Sequence, residues 1–242
     1  MLTTLTILTH KTMKILNYIK YRLRKDYKIS YSQTGEDILI SRIFRNLNIQ
    51  KVYYLDIVAN HPKNYNNTYL LYSKGSSGVC VEPNKELSEE IKKTRPRDNI
   101  LNVAVSDKIE TLTYFSFKND VLNTFSEEES RRNINRGNKF LRAYPMRTVT
   151  LNDIFDKLPR LPDLVSLDIE GYDEKVLRDF DFSKYKPMVW CIETIEKNDE
   201  EWFKNISLIK LMEENGYVVY GDTNINTIFV RNEIMQKINR LK

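Results

Sequence analysis

The sequence predicts an α/β fold, a mostly parallel sheet that ends in an antiparallel hairpin, and three observations point to it. Along residues 31–242, short β-rich runs alternate with helical or polar stretches, the pattern of strands joined by crossover helices. The last two runs are separated only by residues 221–226, a length compatible with a hairpin. A chain of 242 residues, 41% hydrophobic and 29% charged, has material for one sizeable α/β domain and too little for two with a linker.

In chain order, strands are predicted over 52–57, 78–81, 100–105, 111–117, 164–168, 188–193, 217–220 and 227–230. A helix over 37–46 precedes the first strand. A short helix over 68–74 ends at Gly75, and one over 85–94 cannot continue through Pro96. Helices over 172–179 and 200–215 supply later crossovers, the second closed by Gly216 as C-cap. Residues 118–147 form a polar insertion in which Ser126 and the glutamates at 127–129 make a capping-box start for a helix running towards Leu141. Its basic residues Arg131, Arg132, Arg136, Lys139, Arg142 and Arg147 suit a cover over an acidic or sugar substrate, and equally a solvated connecting helix.

The formal charge of +5 is concentrated in a leader, residues 1–30, with seven basic residues against the single acid Asp26; the remainder holds 31 basic and 32 acidic residues. The neutral body disfavours a nucleic-acid partner. Ile15, Leu16, Ile19 and Leu23 recur at helical spacing among the leader's lysines and arginines, so this segment suits peripheral contact with an anionic membrane as well as a solvated helix. No apolar run is long enough to span a bilayer, and Lys11 and Lys14 interrupt any signal-like leader, which reads as cytoplasmic. Cys80 and Cys191 each sit in a strand-like run and are expected as buried thiols, and no metal-ligand spacing is present. The sequon at Asn66 carries no weight without a secretory route.

Ligands of open α/β sheets bind beyond the carboxyl ends of the strands, so the residues there are the candidates. Asp56, Glu82 and Asp168 each fall at a strand end, and together they predict an acidic rim. Glu82 is placed to accept both hydroxyls of a ribose. Such a rim suits a cationic cofactor better than a dinucleotide, and neither G-x-G-x-x-G nor a phosphate-binding G-x-x-x-x-G-K-[ST] occurs.

An ordered set of motifs sharpens this. Ser32-Gln33-Thr34-Gly35-Glu36-Asp37 comes first, then Asp56 with Ala59-Asn60-His61-Pro62, Asn67-Thr68, Gly78 and Glu82-Pro83-Asn84. Asn102-Val103-Ala104-Val105-Ser106, Asn123-Thr124, Thr150-Leu151, Asp168-Ile169-Glu170-Gly171 and Ile192-Glu193 follow. In order and approximate spacing this set resembles the FkbM methyltransferase family over roughly residues 31–194. The resemblance implies a Rossmann-like class I methyltransferase fold, S-adenosylmethionine (SAM) as cofactor, and commonly O-methylation of hydroxyls on sugars, glycans or other natural products. It implies that Asp56 to Asn60, Ala59 included, form the turn under the methionine part, that Glu82 with Pro83 and Asn84 holds the ribose, and that Asn102 to Ser106, with Ala104, lie beside the adenine. Ser32, Gln33, Glu36 and Asp37 would close over the cofactor. Asp168, Glu170 and Glu193 would face the transferring methyl.

One position departs from the family turn Asp-x-Gly-Ala-Asn: Val58 stands where the glycine is expected. A β-branched residue there costs both close backbone approach and unusual φ values. It implies either a shifted turn with weaker SAM binding or a degenerate, non-catalytic fold serving as a partner in glycan assembly. For transfer to a hydroxyl, Asp168 or Glu193 is the expected proton acceptor, with His61 a second candidate that equally suits a turn. The carboxylates at 168, 170 and 193 could also hold a divalent cation, and the metal-free version is the reading adopted.

Overall fold

The computed structural model describes residues 28–169, 171–197 and 201–241, so most of the basic leader and Glu170 lie outside the described residues. Residues Tyr31–Lys242 form one compact unit. Its centre is a seven-stranded sheet. From one edge to the other it contains β3 (Asn99–Leu101), β2 (Ser77–Val81), β1 (Tyr53–Ile57), β7 (Leu164–Leu167), β8 (Val189–Glu193), β12 (Asn226–Arg231) and β11 (Tyr217–Asp222). Strands β3 to β8 in that order are mutually parallel, while β12 is antiparallel to both β8 and β11. This is the expected parallel sheet with its terminal hairpin.

Alternating strand residues divide the core between the two faces, as the period of two requires. Leu55, Ile57, Val79, Val165, Trp190 and Ile192 pack with α5 (Leu151–Lys157), α6 (Asp173–Arg178) and α7 (Ile206–Glu214). Tyr54, Cys80, Leu164, Cys191 and Ile228 pack with α1 (Glu36–Asn46), α2 (Tyr69–Ser73), α3 (Lys85–Thr94) and α8 (Asn232–Arg240). Both cysteines are buried and unbridged, as their strand placement implied. Gly78 is obligatory at the β1–β2 contact, because a Cβ there would lie 2.0 Å from the Tyr54 carbonyl oxygen.

Three expectations are corrected. The run over 100–105 is not one strand: β3 ends at Leu101, and β4 (Ala104–Val105) leaves the main sheet to pair with β6 (Phe140–Val149). The helix expected towards Leu141 is α4 (Glu127–Asn135), which stops at Gly137, in the left-handed region at φ 81°. Beyond it the chain forms β6, which pairs antiparallel with β5 (Thr111–Phe117) in a small three-stranded sheet outside the main one. The helix expected over 200–215 does not include residues 202–204. They belong to the hairpin of β9 (Ile195–Lys197) and β10 (Trp202–Lys204), and α7 starts only after Asn205, whose side chain caps Leu208 N–H at 2.8 Å. Among the described residues no helix is long and apolar enough to cross a membrane.

Candidate active site

The carboxyl ends of β1, β2, β7 and β8 meet at one edge of the sheet, and β1 is the strand at which the connection order reverses. After β1 the pairing with β2 continues for one more bond, Ala59 N–H to Val81 O at 3.1 Å, and the chain then turns sharply. Two residues of that turn have positive φ, Val58 at 59° and Asn60 at 50°. The turn is therefore not shifted into ordinary backbone: Val58 takes up the glycine-type conformation that its side chain disfavours.

Glu82 follows β2 directly. Pro83 ends the strand and Asn84 caps α3, accepting from Glu86 N–H at 2.9 Å and Leu87 N–H at 3.2 Å, so Glu82 is held between a strand end and a helix start. Its carboxylate is 2% exposed and accepts Asn60 N–H and Asn84 N–H, each at 2.8 Å. One bond falls on each oxygen, leaving each a lone pair for a further donor. Burial outweighs these bonds and pushes Glu82 up to about 7.

A narrow cleft opens above the turn, lined by Val58, Asn60, Glu82, Pro83 and Leu87 on the sheet side. Asp120, Asn123, Thr124 and Phe125 from the polar segment cover it, with Tyr114 of β5 and with Ile169 and Tyr172. Thr124 is tied to β5 by paired backbone bonds with Phe115, N–H to O at 3.1 and 2.9 Å, which places the cover. A second, wider cavity shares Asn123 and Thr124 as a wall. Its remaining lining includes Glu193 at the end of β8, Glu196, Trp202 and one face of α4: Glu129, Asn133 and the C-capping Arg136. Their spacing of four and then three residues brings these three to a common side of the helix.

Asp56 does not rim the cleft. Its side chain points into the α1–α3 face, where it accepts Thr68 Oγ1 at 2.6 Å and Asn66 Nδ2 at 3.2 Å and lies 3.6 Å from Arg95. The physical reason is strand alternation: Leu55 and Ile57 face the other helix layer, so Asp56 must face this one. Ala59 is buried in the same layer, and Ala104 is buried in β4 against β6. Asn102 donates to Glu82 O at 2.8 Å and Pro83 O at 2.9 Å, so it braces the Glu82 segment from outside the main cleft. His61 accepts Lys63 N–H at 3.0 Å and Asn64 N–H at 2.9 Å through Nδ1; it is a turn residue and lines neither cavity.

Gln33 is exposed, whereas Glu36 and Asp37 are fully buried at the start of α1. Asp37 accepts Tyr31 N–H at 2.7 Å and Ser32 Oγ at 3.0 Å. Glu36 accepts both the N–H and the hydroxyl of Thr34, and also Thr223 Oγ1 at 2.7 Å and Asn226 Nδ2 at 3.1 Å. Burial alone would raise Glu36, but the bonds from Thr223 and Thr34 prevail and bring it down to about 2. These acids thus lock the 31–35 segment to the β11–β12 hairpin, beside the Asn226–Glu193 pair. Asp168 follows β7 at the head of the loop to α6. Asp173, not anticipated from sequence, accepts Ile169 N–H at 3.0 Å in that loop, and burial and then the charge of Asp168 push it up to about 7. Among the described residues no three His, Cys, Asp or Glu side chains gather as a metal site.

The buried Arg95 is the largest feature that sequence reasoning missed. It is 0% exposed, pairs through Nε with Asp98 at 2.7 Å, and donates to Tyr54 OH at 3.0 Å, Thr68 Oγ1 at 2.8 Å and Asn66 Oδ1 at 3.2 Å. Its spacing to Asp98 was visible, but its partners are 27 to 41 residues away in the chain.

A model of the methyltransferase FkbM domain matches residues 56–219, more than half of the chain. No curated protein matches it. Among solved structures, a TehB-like SAM-dependent methyltransferase from Corynebacterium glutamicum ATCC 13032 Kitasato is 10% identical, over 92% of this chain and 98% of its own, with a TM-score of 0.43. Monomeric WbdD is 13% identical over 86% of this chain and 43% of its own, TM-score 0.48. Magnesium protoporphyrin IX methyltransferase (ChlM) from Synechocystis PCC 6803, with bound SAH, is 9% identical over 91% and 94%, TM-score 0.43. These likenesses are distant, and the assignment rests on the domain match and the sheet order. The buried Glu82 carboxylate, with acceptor capacity turned to a cleft at the sheet's switch point, fits the ribose of a SAM molecule. With its parallel sheet, single reversed strand and matched domain, the chain belongs to the FkbM methyltransferase family and has the Rossmann-like class I fold, with SAM as cofactor.

Proposed function

We propose that the chain transfers a methyl group from SAM to a hydroxyl of a sugar or glycan, with Glu193 taking the proton. The observation that carries this reading is the pair of cavities with a common wall at Asn123 and Thr124. One has the turn and Glu82 that suit the donor, and the other has a polar lining and an aromatic plane that suit a polyol. Trp202 is 63% exposed and offers a face to a sugar ring, while Asn133 and Arg136 offer donors and Glu193 and Glu196 acceptors.

SAM, when bound, would supply a methyl carbon whose bond to the sulfonium sulfur breaks as the acceptor oxygen bonds to it in line, with the neutral thioether as leaving group. The chain's contribution is position. Glu82 accepts the ribose hydroxyls, the Asp120–Phe125 cover keeps water from the donor cleft, and the α4 face with Trp202 holds the acceptor ring. Glu193 then receives the hydroxyl proton as the oxygen–carbon bond forms. The test is methyl transfer to a panel of saccharides by the wild type and Glu193→Gln. Activity on sugars that drops at least about a hundredfold in the variant supports the reading, and an unaffected rate removes Glu193 as base.

The strained Val58 favours a second reading, a folded binding protein that no longer uses SAM. Titration separates the two. Wild-type protein that is folded yet takes up no SAM at millimolar concentration fits the second and excludes the first.

A further inference from the structure

Non-glycine residues at positive φ persist only where their surroundings over-determine them. The turn after β1 has two, Val58 and Asn60, so something must hold it. Three bonds reach its backbone: Ala59 N–H to Val81 O at 3.1 Å, Asn60 N–H to Glu82 Oε2 at 2.8 Å, and Asn66 Nδ2 to Ala59 O at 3.0 Å. The first two belong to β2 and its end. The third comes from a side chain whose remaining bonds are all committed inside the protein. Asn66 is 2% exposed; its Nδ2 also donates to Asp56 at 3.2 Å. Its Oδ1 accepts Thr68 N–H at 3.0 Å, Tyr69 N–H at 2.8 Å and Arg95 Nη1 at 3.2 Å. Arg95 is itself fixed by Asp98, Tyr54 and Thr68, and Asp98 in turn accepts Gly78 N–H at 2.9 Å from β2.

We propose that Asn66, anchored by Arg95, is a positioning residue that clamps the Val58–Asn60 turn in its donor-binding shape and so offsets the valine that replaces glycine there. The consequence for donor binding rests on the proposed function; the clamp on the turn does not. A clamp on a strained turn differs from an ordinary buried hydrogen bond in one respect: it matters less once the strain is gone. Asn66 and Val58 must therefore be coupled.

The test is a double-mutant cycle of Asn66→Ser and Val58→Gly, read both as the SAM dissociation constant and as the urea midpoint without SAM. Leu208→Val, in the α7 core on the other face of the sheet, serves as the control for general destabilisation. Asn66→Ser is expected to weaken SAM binding about tenfold or more, to be compared with less than about twofold for the control. In the Val58→Gly background the same change is expected to cost less than about threefold, with a correspondingly smaller fall in urea midpoint. Equal losses in both backgrounds would overturn the proposal. If Asn66→Ser does not fold, Arg95→Lys removes the Nη1 bond that anchors Asn66 while keeping the positive charge, and the same comparison decides. A wild type that binds no SAM would defeat the proposed function alone, and the urea cycle would still decide the clamp.

Discussion

At Val58 two costs oppose each other: a β-branched side chain held at a φ of 59°, worth roughly 1–2 kcal/mol, against the burial its methyls gain on the core. Val58→Gly removes the strain but adds chain entropy and exposes the core, so its stability is expected to stay within about 1 kcal/mol of the wild type. Its SAM affinity is expected to rise about tenfold, since the cleft floor loses a side chain; titration calorimetry checks this, and a weaker variant would refute it. Glu82 gives the second residue-scale prediction. Its carboxylate is pushed up to about 7, and only the ionised form offers both oxygens to hydroxyls, so affinity should fall as pH drops below 7. Binding should release protons near that pH, measurable in buffers of different ionisation enthalpy, and a flat profile from pH 5.5 to 8 would be contrary. Glu82 was legible in the sequence because a strand end and Pro83 flank it. Asp56 was misjudged because position at a strand end does not say which face a side chain takes. Arg95 was invisible because nothing local marks a buried cation whose other partners lie on two distant segments, β1 and residues 66–68.

The elements around the Glu82 cleft were readable, and those around the second cavity were readable only at the start of α4 and the end of β8. Strands β1, β2, β7 and β8 are apolar runs bounded by turn residues, and α3 carries its cap and its stop within its own sequence. Strand β6 carries Arg142, Arg147 and Pro145, a composition that argues against a strand. It forms because β5 pairs with it along Phe140–Arg147, while β4 covers only Thr148 and Val149, leaving Pro145 where the other side has no strand. The hairpin β9–β10 is too short to show a period. If α4 frames the acceptor, loosening its first turn should act on the acceptor alone. Ser126→Ala removes the cap to Glu129 N–H, about 1 kcal/mol of helix stability, and is expected to raise the acceptor KM severalfold with the SAM dissociation constant unchanged. Equal effects on both would contradict the division into two cavities.

For the whole molecule, buried acids with opposite shifts set the pH dependence of stability. Glu36 is lowered to about 2, so its contribution is present above its ordinary value of 4.5 and is lost as pH falls towards 2. Glu82 and Asp173 are raised to about 7, so the folded state holds protons that the unfolded chain has released, and stability falls as pH rises from about 4 to 7. For Glu82 alone this is about 3 kcal/mol. The thermal midpoint of the SAM-free protein should thus peak near pH 4 to 5 and decline towards neutrality, and Asp173→Asn should flatten the decline. A midpoint rising steadily from pH 5 to 7.5 would show that these carboxylates are not shifted as their burial requires.

The cleft over Val58, Asn60 and Glu82 is proposed to seat SAM despite the valine. Calorimetric titration of the wild type and Glu82→Ala with SAM at pH 8, alongside circular dichroism to confirm folding, tests it most directly. Saturable one-site binding by the wild type, weakened at least about a hundredfold by Glu82→Ala, is expected. Folded wild type with no binding at millimolar SAM, or a Glu82→Ala variant that binds equally well, would contradict it.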